Sequence, residues 1–299
     1  MDDIKTVAII GAGFLGSQIA AWSALHDYEV HIFDISSEAL EKTKEIAHQT
    51  IELYCAQEEG RKPEECIERI FYHDKLADTV SGADLIIEAV PEKLELKKEI
   101  FAQIDKNAPA HAIIATNSSS IPVSKIEDSV QRKDKVLNIH FYAPSQIPMV
   151  DIMRGSKTSD ETFAMGKAWI ESINCVPLVV LKETLGFVFN RVWRAVKREA
   201  IHMWAGGYAD FRDIDRAWMV FTGMGLGPFA LMDAVGLDVV YDVEMTYFNE
   251  SRDPKDEPPK AFKEMVDRGE LGMKTIRGFY DWNDPECVKP DFIKIKRKK

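Results

Sequence analysis

The stretch NIHFYAPSQIPMVD, residues 138–151, places a histidine at the end of a short apolar run. Two prolines and an aspartate follow His140 in the same stretch. A histidine side chain has an ordinary pKa of about 6.5, so it can take up or release a proton near neutral pH. A histidine at the end of a strand can equally be structural and satisfied by a backbone hydrogen bond. The stretch alone leaves both interpretations of His140 open.

A second stretch, VAIIGAGFLGSQIA, combines an apolar strand, the pattern Gly11-x-Gly13-x-x-Gly16 and the start of a helix. Gly11 permits a tight turn, Gly13 lets the backbone approach a pyrophosphate, and Gly16 lets the helix pack closely on the strand. The phosphate charge would then lie over the helix N-terminus. We predict that these glycines, with the intervening Phe14 and Leu15, contact a dinucleotide.

An acid at the end of the next predicted strand indicates which dinucleotide is bound. Asp34 is placed to accept hydrogen bonds from ribose hydroxyls and would repel a 2′-phosphate. The segment DISSE, residues 34–38, contains no arginine that could bind such a phosphate. The sequence therefore predicts NAD rather than NADP as the cofactor. FAD, which uses a similar glycine pattern, and a glycine turn that binds nothing are the alternatives.

The first 180 or so residues alternate apolar runs with helical patterns. Most runs are continuous and rich in β-branched residues, as in a sheet that is buried on both faces. Strand–helix–strand alternation predicts an α/β fold with a doubly wound parallel sheet. The predicted strands are Thr6–Ile10, Glu29–Phe33, Ala83–Val90, Ala112–Asn117, Val136–Phe141 and Val176–Leu181.

Two helical regions depart from that simple alternation. Residues 41–60 and 62–71 are longer than a crossover needs, so they predict a helical hairpin inserted after the second strand. After Leu181 the pattern becomes helical throughout, beginning with GFVFNRVWRAVKREAIHMWAGG. We therefore expect two domains, with residues 1–183 binding the cofactor and residues 184–299 forming an all-helical C-terminal domain.

Composition excludes several classes of protein. A formal net charge of −11 disfavours a general role on nucleic acid. No run of about 18 apolar residues suggests a membrane span, and the acidic start MDDIKTVAII does not resemble a secretory signal. The scattered cysteines form no zinc-binding pattern, so we expect no metal and a cytoplasmic location. The basic tail, residues 294–299, is most simply a solvated chain end, with a targeting or anion-binding role as the alternative.

Several motifs in one order make the sequence resemble the L-3-hydroxyacyl-CoA dehydrogenase family. The resemblance covers nearly the whole chain and is carried by IIGAGFLGSQIA, ADLIIEAVPEKLELKKEIF, TNSSS, HFYAP, GFVFNR and GPFALMDAVGLD. It implies a Rossmann-like NAD-binding domain with an inserted hairpin and a helical second domain that commonly forms a homodimer. It also implies a small-molecule substrate, either an acyl-CoA or a hydroxy acid.

The same resemblance implies roles for individual residues. The histidine of the family's H-F-F-N-P motif corresponds to His140 and would be the catalytic base. The acid that orients this histidine follows about a dozen positions later and corresponds to Asp151. Ser119 in NSSS and Asn190 in GFVFNR match residues that contact the reacting group. Positions close to the cofactor are matched by Glu88, Lys93 and Asn117.

These residues would suit the oxidation of a secondary alcohol. A histidine base would take the hydroxyl proton while hydride leaves the carbon. A carboxylate on the other ring nitrogen would fix the tautomer and stabilise the imidazolium. Ser119 and Asn190 would hold the substrate oxygen where negative charge develops.

The sequence departs from the family pattern at four places. Ala143 replaces the asparagine of H-F-F-N-P, and Asp151 is a shorter acid that sits one position early. Near the C-terminus, Ile276 and Arg277 replace a glycine and an acid. The hairpin stretch HQTIELYCAQEEGRK is acid-bearing and has no lysine or arginine before its last two positions, although in the family basic residues on this hairpin help hold the CoA phosphates.

Three hypotheses remain open. The first is an NAD-dependent dehydrogenase of short-chain L-3-hydroxyacyl-CoA such as 3-hydroxybutyryl-CoA. The second is a dehydrogenase of a free 3-hydroxy acid, such as a sugar acid or carnitine, which the acid-bearing hairpin and Ala143 favour. The third is a non-catalytic structural or NAD-sensing relative, suggested by the loss of that asparagine and by the shorter acid.

Overall fold

The computed structural model describes residues 4–58 and 60–294. The described chain forms two compact units, of which the first ends at Val188 and the second begins at Phe189. The division into functional domains after residue 183 stays a prediction. Residues 295–299 of the basic tail lie outside the described residues.

The first unit is built on one eight-stranded sheet with the strand order β3-β2-β1-β4-β5-β6-β7-β8. Strands β1 to β6 are parallel, whereas β7 pairs antiparallel with β6 and β8 pairs parallel with β7. The strands are β1 Thr6–Ile10, β2 Glu29–Phe33, β3 Ile70–His73, β4 Leu85–Glu88, β5 Ile113–Thr116, β6 Val136–Ala143, β7 Ile147–Arg154 and β8 Val176–Val180. The predicted α/β fold class is therefore confirmed.

Helices connect these strands and form the second unit. Those of the first unit are α1 Phe14–Leu25, α2 Ser37–Cys55, α3 Pro63–Ile67, α4 Leu76–Val80, α5 Leu94–Asn107 and α6 Asp160–Ser172. Those of the second unit are α7 Phe189–Ala205, α8 Phe211–Thr222, α9 Pro228–Val235, α10 Leu237–Ser251 and α11 Lys260–Asp267. The predicted helical character of the second domain is confirmed, and none of the described helices is long and apolar enough to cross a bilayer.

Alternate residues of each central strand enter two separate cores, one on each face of the sheet. In β1, Val7 and Ile9 pack into one cluster, whereas Ala8 and Ile10 pack into the other. All four side chains are fully buried. Burial on both faces explains why the strand sequences are continuous apolar runs rather than alternating ones.

Two strands, β3 and β7, are absent from the sequence prediction because they form by pairing with distant parts of the chain. The predicted helix over residues 62–71 is wrong at its end, since only Pro63–Ile67 is helical and Ile70–His73 pairs with β2 as an edge strand. Strand β7 was not predicted. It forms because the chain reverses after Ala143 and pairs back on β6, which also makes β8 run opposite to β1.

The second unit contains one strained turn where the sequence departs from the family motif. Ile276, which replaces the motif glycine, has φ +62° and so lies in the left-handed region. That conformation costs a residue with a Cβ roughly 1–2 kcal/mol. The side chain is 51% exposed, so little burial offsets the strain.

We predict that Ile276→Gly stabilises the protein by about 0.5–1 kcal/mol, because relief of the left-handed strain exceeds the entropy that glycine gains in the unfolded chain. Urea unfolding measures the change. The matched control is Met273→Gly in the same turn, at 47% exposure, which should not stabilise. A urea unfolding midpoint for Ile276→Gly below that of the wild type would contradict the inference that Ile276 is strained.

Candidate active site

The turn after β1 accepts only glycine at its first position. Gly11 has φ +115°, and a Cβ there would lie 2.6 Å from the carbonyl oxygen of Ala89 at the end of the neighbouring strand β4. The Gly11 amide donates to the carbonyl of Phe33 at 2.8 Å. The turn is thereby fixed between the ends of β2 and β4.

The same turn leaves the N-terminus of α1 open for an anion. A Cβ on Gly16 would lie 2.0 Å from the Gly11 carbonyl oxygen, whereas a Cβ on Gly13 would meet nothing within 4 Å. Gly13 caps α1 without a side-chain hydrogen bond, so the first amide N–H groups of the helix remain available to a phosphate. Phe14 is 65% exposed, and Leu15 packs against the core.

Asp34 is held by the backbone on both sides of its carboxylate. One oxygen accepts from the Ala12 amide at 2.8 Å, and the other accepts from the Ser36 amide at 2.9 Å. An ionised carboxylate has about four acceptor positions, so Asp34 keeps capacity for ribose hydroxyls. The exposed apolar side chain of Ile35 lies next in the chain.

A buried charge network supports the ends of β4 and β5. Glu88 is fully buried and accepts from Lys97 Nζ at 2.8 Å, from the Val90 amide at 2.7 Å and from the Thr116 hydroxyl at 2.7 Å. Burial raises the pKa of Glu88, and the neighbouring Lys97 charge opposes that rise. The ion-pair partner of Glu88 is Lys97, whereas Lys93, which the resemblance also placed near the cofactor, is exposed. A role for either residue at the cofactor stays a prediction.

The network continues to the loop that carries Ser119. Lys97 Nζ lies 3.2 Å from Glu92, and Glu92 accepts from the hydroxyls of Ser118 and Ser120. Burial would raise the pKa of Glu92, but these hydrogen bonds and the Lys97 charge lower it overall. Ser119 lies between the two anchored serines and is exposed, so its hydroxyl is presented outwards by a fixed loop.

Asn117 ties the end of β5 to the strand that carries the histidine. Its side-chain oxygen accepts from the Phe141 backbone amide at 2.8 Å, and its backbone amide donates to the Glu88 carbonyl at 2.8 Å. Phe141 directly follows His140 in β6, so Asn117 fixes the backbone beside the histidine. This contact leaves the Asn117 side-chain NH₂ group available to a ligand.

His140 and Asp151 face each other across the antiparallel pair of β6 and β7. The His140 Nδ1 atom lies 3.2 Å from the Asp151 carboxylate. The His140 side chain is 7% exposed and that of Asp151 is fully buried. Because opposed residues of a strand pair point to the same side of the sheet, the register brings the two predicted residues together.

Three further residues of the first unit contact this pair. The Tyr142 hydroxyl donates to Asp151 at 2.6 Å, and the Val188 amide donates to its other oxygen at 3.3 Å. The Phe187 ring stacks on His140 with centroids 5.1 Å apart. Phe187 adopts φ +50°, a sparsely populated conformation for a residue with a side chain.

The sequence analysis missed Tyr142 and Phe187, although both lie in quoted motifs. The available signal for Tyr142 was its position two residues after His140, which places both side chains on the same face of a strand. Phe187 gave no comparable signal, because its contact depends on a loop conformation. Asn190 belongs to the second unit, where it is the second residue of α7 and is partly buried.

The geometry defines which histidine atom is available for proton transfer. Nδ1 faces the carboxylate of Asp151, so a proton on that nitrogen is held in a charge-assisted hydrogen bond. Nε2 is then the ring nitrogen with a free lone pair. A buried carboxylate behind such a ring stabilises the imidazolium that forms when Nε2 accepts a proton.

Comparison with known proteins identifies the family of both units. Residues 6–184 match the family model described as 3-hydroxyacyl-CoA dehydrogenase, NAD binding domain. Residues 186–282 match the model described as 3-hydroxyacyl-CoA dehydrogenase, C-terminal domain. The two matches follow each other in the order that the sequence analysis predicts.

Individual relatives agree with these models and differ in their substrates. The 3-hydroxybutyryl-CoA dehydrogenase of Clostridioides difficile is 32% identical over 280 residues, which cover 93% of this chain and 99% of the relative. The 5-formyl-3-hydroxy-2-methylpyridine 4-carboxylate 5-dehydrogenase of Mesorhizobium japonicum is 31% identical over 295 residues. These residues cover 96% of this chain and 93% of the relative.

A solved structure matches the fold over most of the chain. The (S)-3-hydroxybutyryl-CoA dehydrogenase of Ralstonia eutropha is 33% identical, with a TM-score of 0.86. The match covers 93% of this chain and 99% of that one. The predicted NAD cofactor and oxidoreductase class are thereby confirmed, and the chain belongs to the NAD-dependent 3-hydroxyacyl-CoA dehydrogenase family.

Proposed function

We propose that the protein oxidises the 3-hydroxyl of a short-chain L-3-hydroxyacyl-CoA, such as 3-hydroxybutyryl-CoA, to the 3-oxo form and catalyses the reverse reaction. The observation that carries the proposal is the buried His140–Asp151 pair, in which Nε2 is left to exchange a proton. The names of the C. difficile and R. eutropha relatives support this substrate class. A cytoplasmic location remains a prediction from the sequence.

The proposed mechanism assigns one task to each residue. His140 Nε2 takes the hydroxyl proton, and Asp151 holds the ring and balances the imidazolium charge. Ser119, on its anchored loop, and Asn190 donate hydrogen bonds to the substrate oxygen as it gains negative charge. NAD, when bound, supplies the hydride acceptor.

We propose that the turn after β1 and the acid after β2 hold the cofactor. The absence of Cβ atoms at Gly11, Gly13 and Gly16 and the uncapped start of α1 fit a pyrophosphate. Asp34 fits the ribose hydroxyls with the acceptor positions that the backbone leaves available. Phe14, Leu15 and Asn117 border the same edge of the sheet.

The variant Gly13→Ala should weaken cofactor binding without changing the stability of the fold. Its Cβ meets nothing within 4 Å in the protein, so we expect an unchanged unfolding midpoint. Affinity for NADH, measured by fluorescence titration, should fall at least about tenfold, or about 1.4 kcal/mol, because the methyl group occupies the space of the pyrophosphate. Gly82→Ala, also in open space, is the control. Unchanged NADH affinity in Gly13→Ala would refute this placement of the pyrophosphate.

One observation favours a second candidate, a dehydrogenase of a small acid without CoA. Helix α2 has no lysine or arginine after Lys44. The next two basic residues are engaged by acids, since Arg61 lies 3.5 Å from Asp27 and Lys62 lies 2.8 Å from Glu65. These pairs leave little positive charge for CoA phosphates. The M. japonicum relative is named for a pyridine carboxylate rather than for an acyl-CoA.

A substrate panel distinguishes the candidates. We expect NADH to be consumed with acetoacetyl-CoA and to be consumed much more slowly with free 3-oxo acids, with NADPH a poor substitute for NADH. Faster turnover of the free acids would favour the second candidate, a dehydrogenase of a small acid without CoA. No turnover of either class by protein that binds NADH would instead support a non-catalytic relative.

We also propose that the protein is a homodimer assembled through its second unit. A groove of about 1140 Å³ between α7 and α8 is lined mainly by apolar side chains, including Val192, Trp218 and Phe221. Phe221 is 92% exposed and Val192 is 64% exposed. A second copy would bury this face. Sedimentation velocity should give the dimer mass, and a monomer mass at micromolar concentration would overturn the proposal.

A further inference from the structure

The hydroxyl of Tyr142 and the ring of His140 share one carboxylate oxygen. The Tyr142 hydroxyl lies 2.6 Å from Asp151 Oδ2, and His140 Nδ1 lies 3.2 Å from the same atom. The Tyr142 ring also meets the His140 ring edge to face, with centroids 4.7 Å apart. Tyr142 therefore contacts both members of the proposed catalytic pair.

We propose that Tyr142 is a positioning residue that sets how strongly Asp151 holds the proton of His140. The inference rests on the proposed role of His140 as the base and adds to it a residue that acts through Asp151. Its hydroxyl draws part of the carboxylate charge to itself, so His140 releases its proton more readily than it would beside an unshared carboxylate.

The direction of the Tyr142 hydrogen bond follows from elementary chemistry. A phenol has an ordinary pKa of about 10 and an ionised carboxylate can only accept, so Tyr142 donates to Asp151 at neutral pH. Hydrogen bonds to ionised groups are short and strong. The Tyr142 contact, at 2.6 Å, is shorter than the His140 contact, at 3.2 Å. The tyrosine hydroxyl is thus the closer of the two donors to this oxygen.

The same hydrogen bond also fixes the orientation of a short acid. Asp151 is anchored at Oδ1 by the Val188 amide at 3.3 Å and at Oδ2 by Tyr142. Its side chain is fully buried, so water does not replace these donors. Tyr142 is the closer of the two donors, and it contacts the same oxygen that faces the imidazole.

Within the first unit, Tyr142 and Asp151 are the titratable side chains of the described residues in contact with His140. Tyr142 lies on β6 and Asp151 on β7. The Phe187 ring against His140 and the Val188 amide against Asp151 are neutral contacts. Asp151 is therefore the group through which we expect removal of the Tyr142 hydroxyl to reach His140.

The test compares Tyr142→Phe with the wild type. Loss of the hydroxyl returns charge to Oδ2, so His140 stays protonated to higher pH. We expect the acidic limb of the pH profile of kcat/KM for alcohol oxidation to move up by about 0.5–1 pH unit. The control is Tyr72→Phe, since the buried Tyr72 hydroxyl has no hydrogen-bond partner among the described residues. A Tyr142→Phe profile that superimposes on the wild type, or moves to lower pH, would overturn the inference.

A second readout needs no substrate and separates this inference from the proposed function. Proton NMR of the free protein follows the imidazole signals, and the His140 signal is assigned by its absence in His140→Gln. The titration midpoint of that signal should move to higher pH in Tyr142→Phe and stay in place in Tyr72→Phe. If it moves while every substrate fails, the inference stands and the proposed function falls; if it does not move, the inference falls alone.

Discussion

The pairing of β6 with β7 is the interaction on which the candidate site depends. It is antiparallel, and its register sets His140 opposite Asp151 on one side of the sheet. Because side chains alternate along a strand, a slip of one residue would turn the carboxylate to the other face. Strand β7 also redirects the chain, so that β8 runs against β1 and the segment up to Val188 returns to Asp151. One strand pair thus sets both the acid–base geometry and the route of the chain around it.

A second layer of polar contacts holds the neighbouring strand ends in place. Glu88 and Lys97 form a buried ion pair at 2.8 Å, and Glu92 links it to the serines on either side of Ser119. Breaking a buried pair of this kind is costly because it leaves an uncompensated charge. These residues therefore act by fixing the loop from which Ser119 would reach a substrate. Asn117 performs the same task for the backbone beside His140.

Sequence patterns predicted those features that local chemistry determines. The bounds of β1 and β2 and the glycine turn follow from short stretches of sequence. Features that depend on distant partners were not predictable in the same way. Strand β3 forms because its residues pair with β2. Glu88 forms its ion pair with Lys97, which lies one helical turn after Lys93 in the chain. Asp151 was identified by resemblance, but its contacts with Tyr142 and Val188 required the folded chain.

We propose that Asp151 contributes its charge, and not merely its shape, to proton transfer by His140. The most direct test is the single-turnover rate of NADH oxidation with acetoacetyl-CoA in Asp151→Asn, which keeps the size of the side chain and removes the charge. We expect a loss of about 10²–10⁴-fold, as when an acid–histidine pair loses its carboxylate, with NADH affinity unchanged. A rate within twofold of the wild type would contradict it.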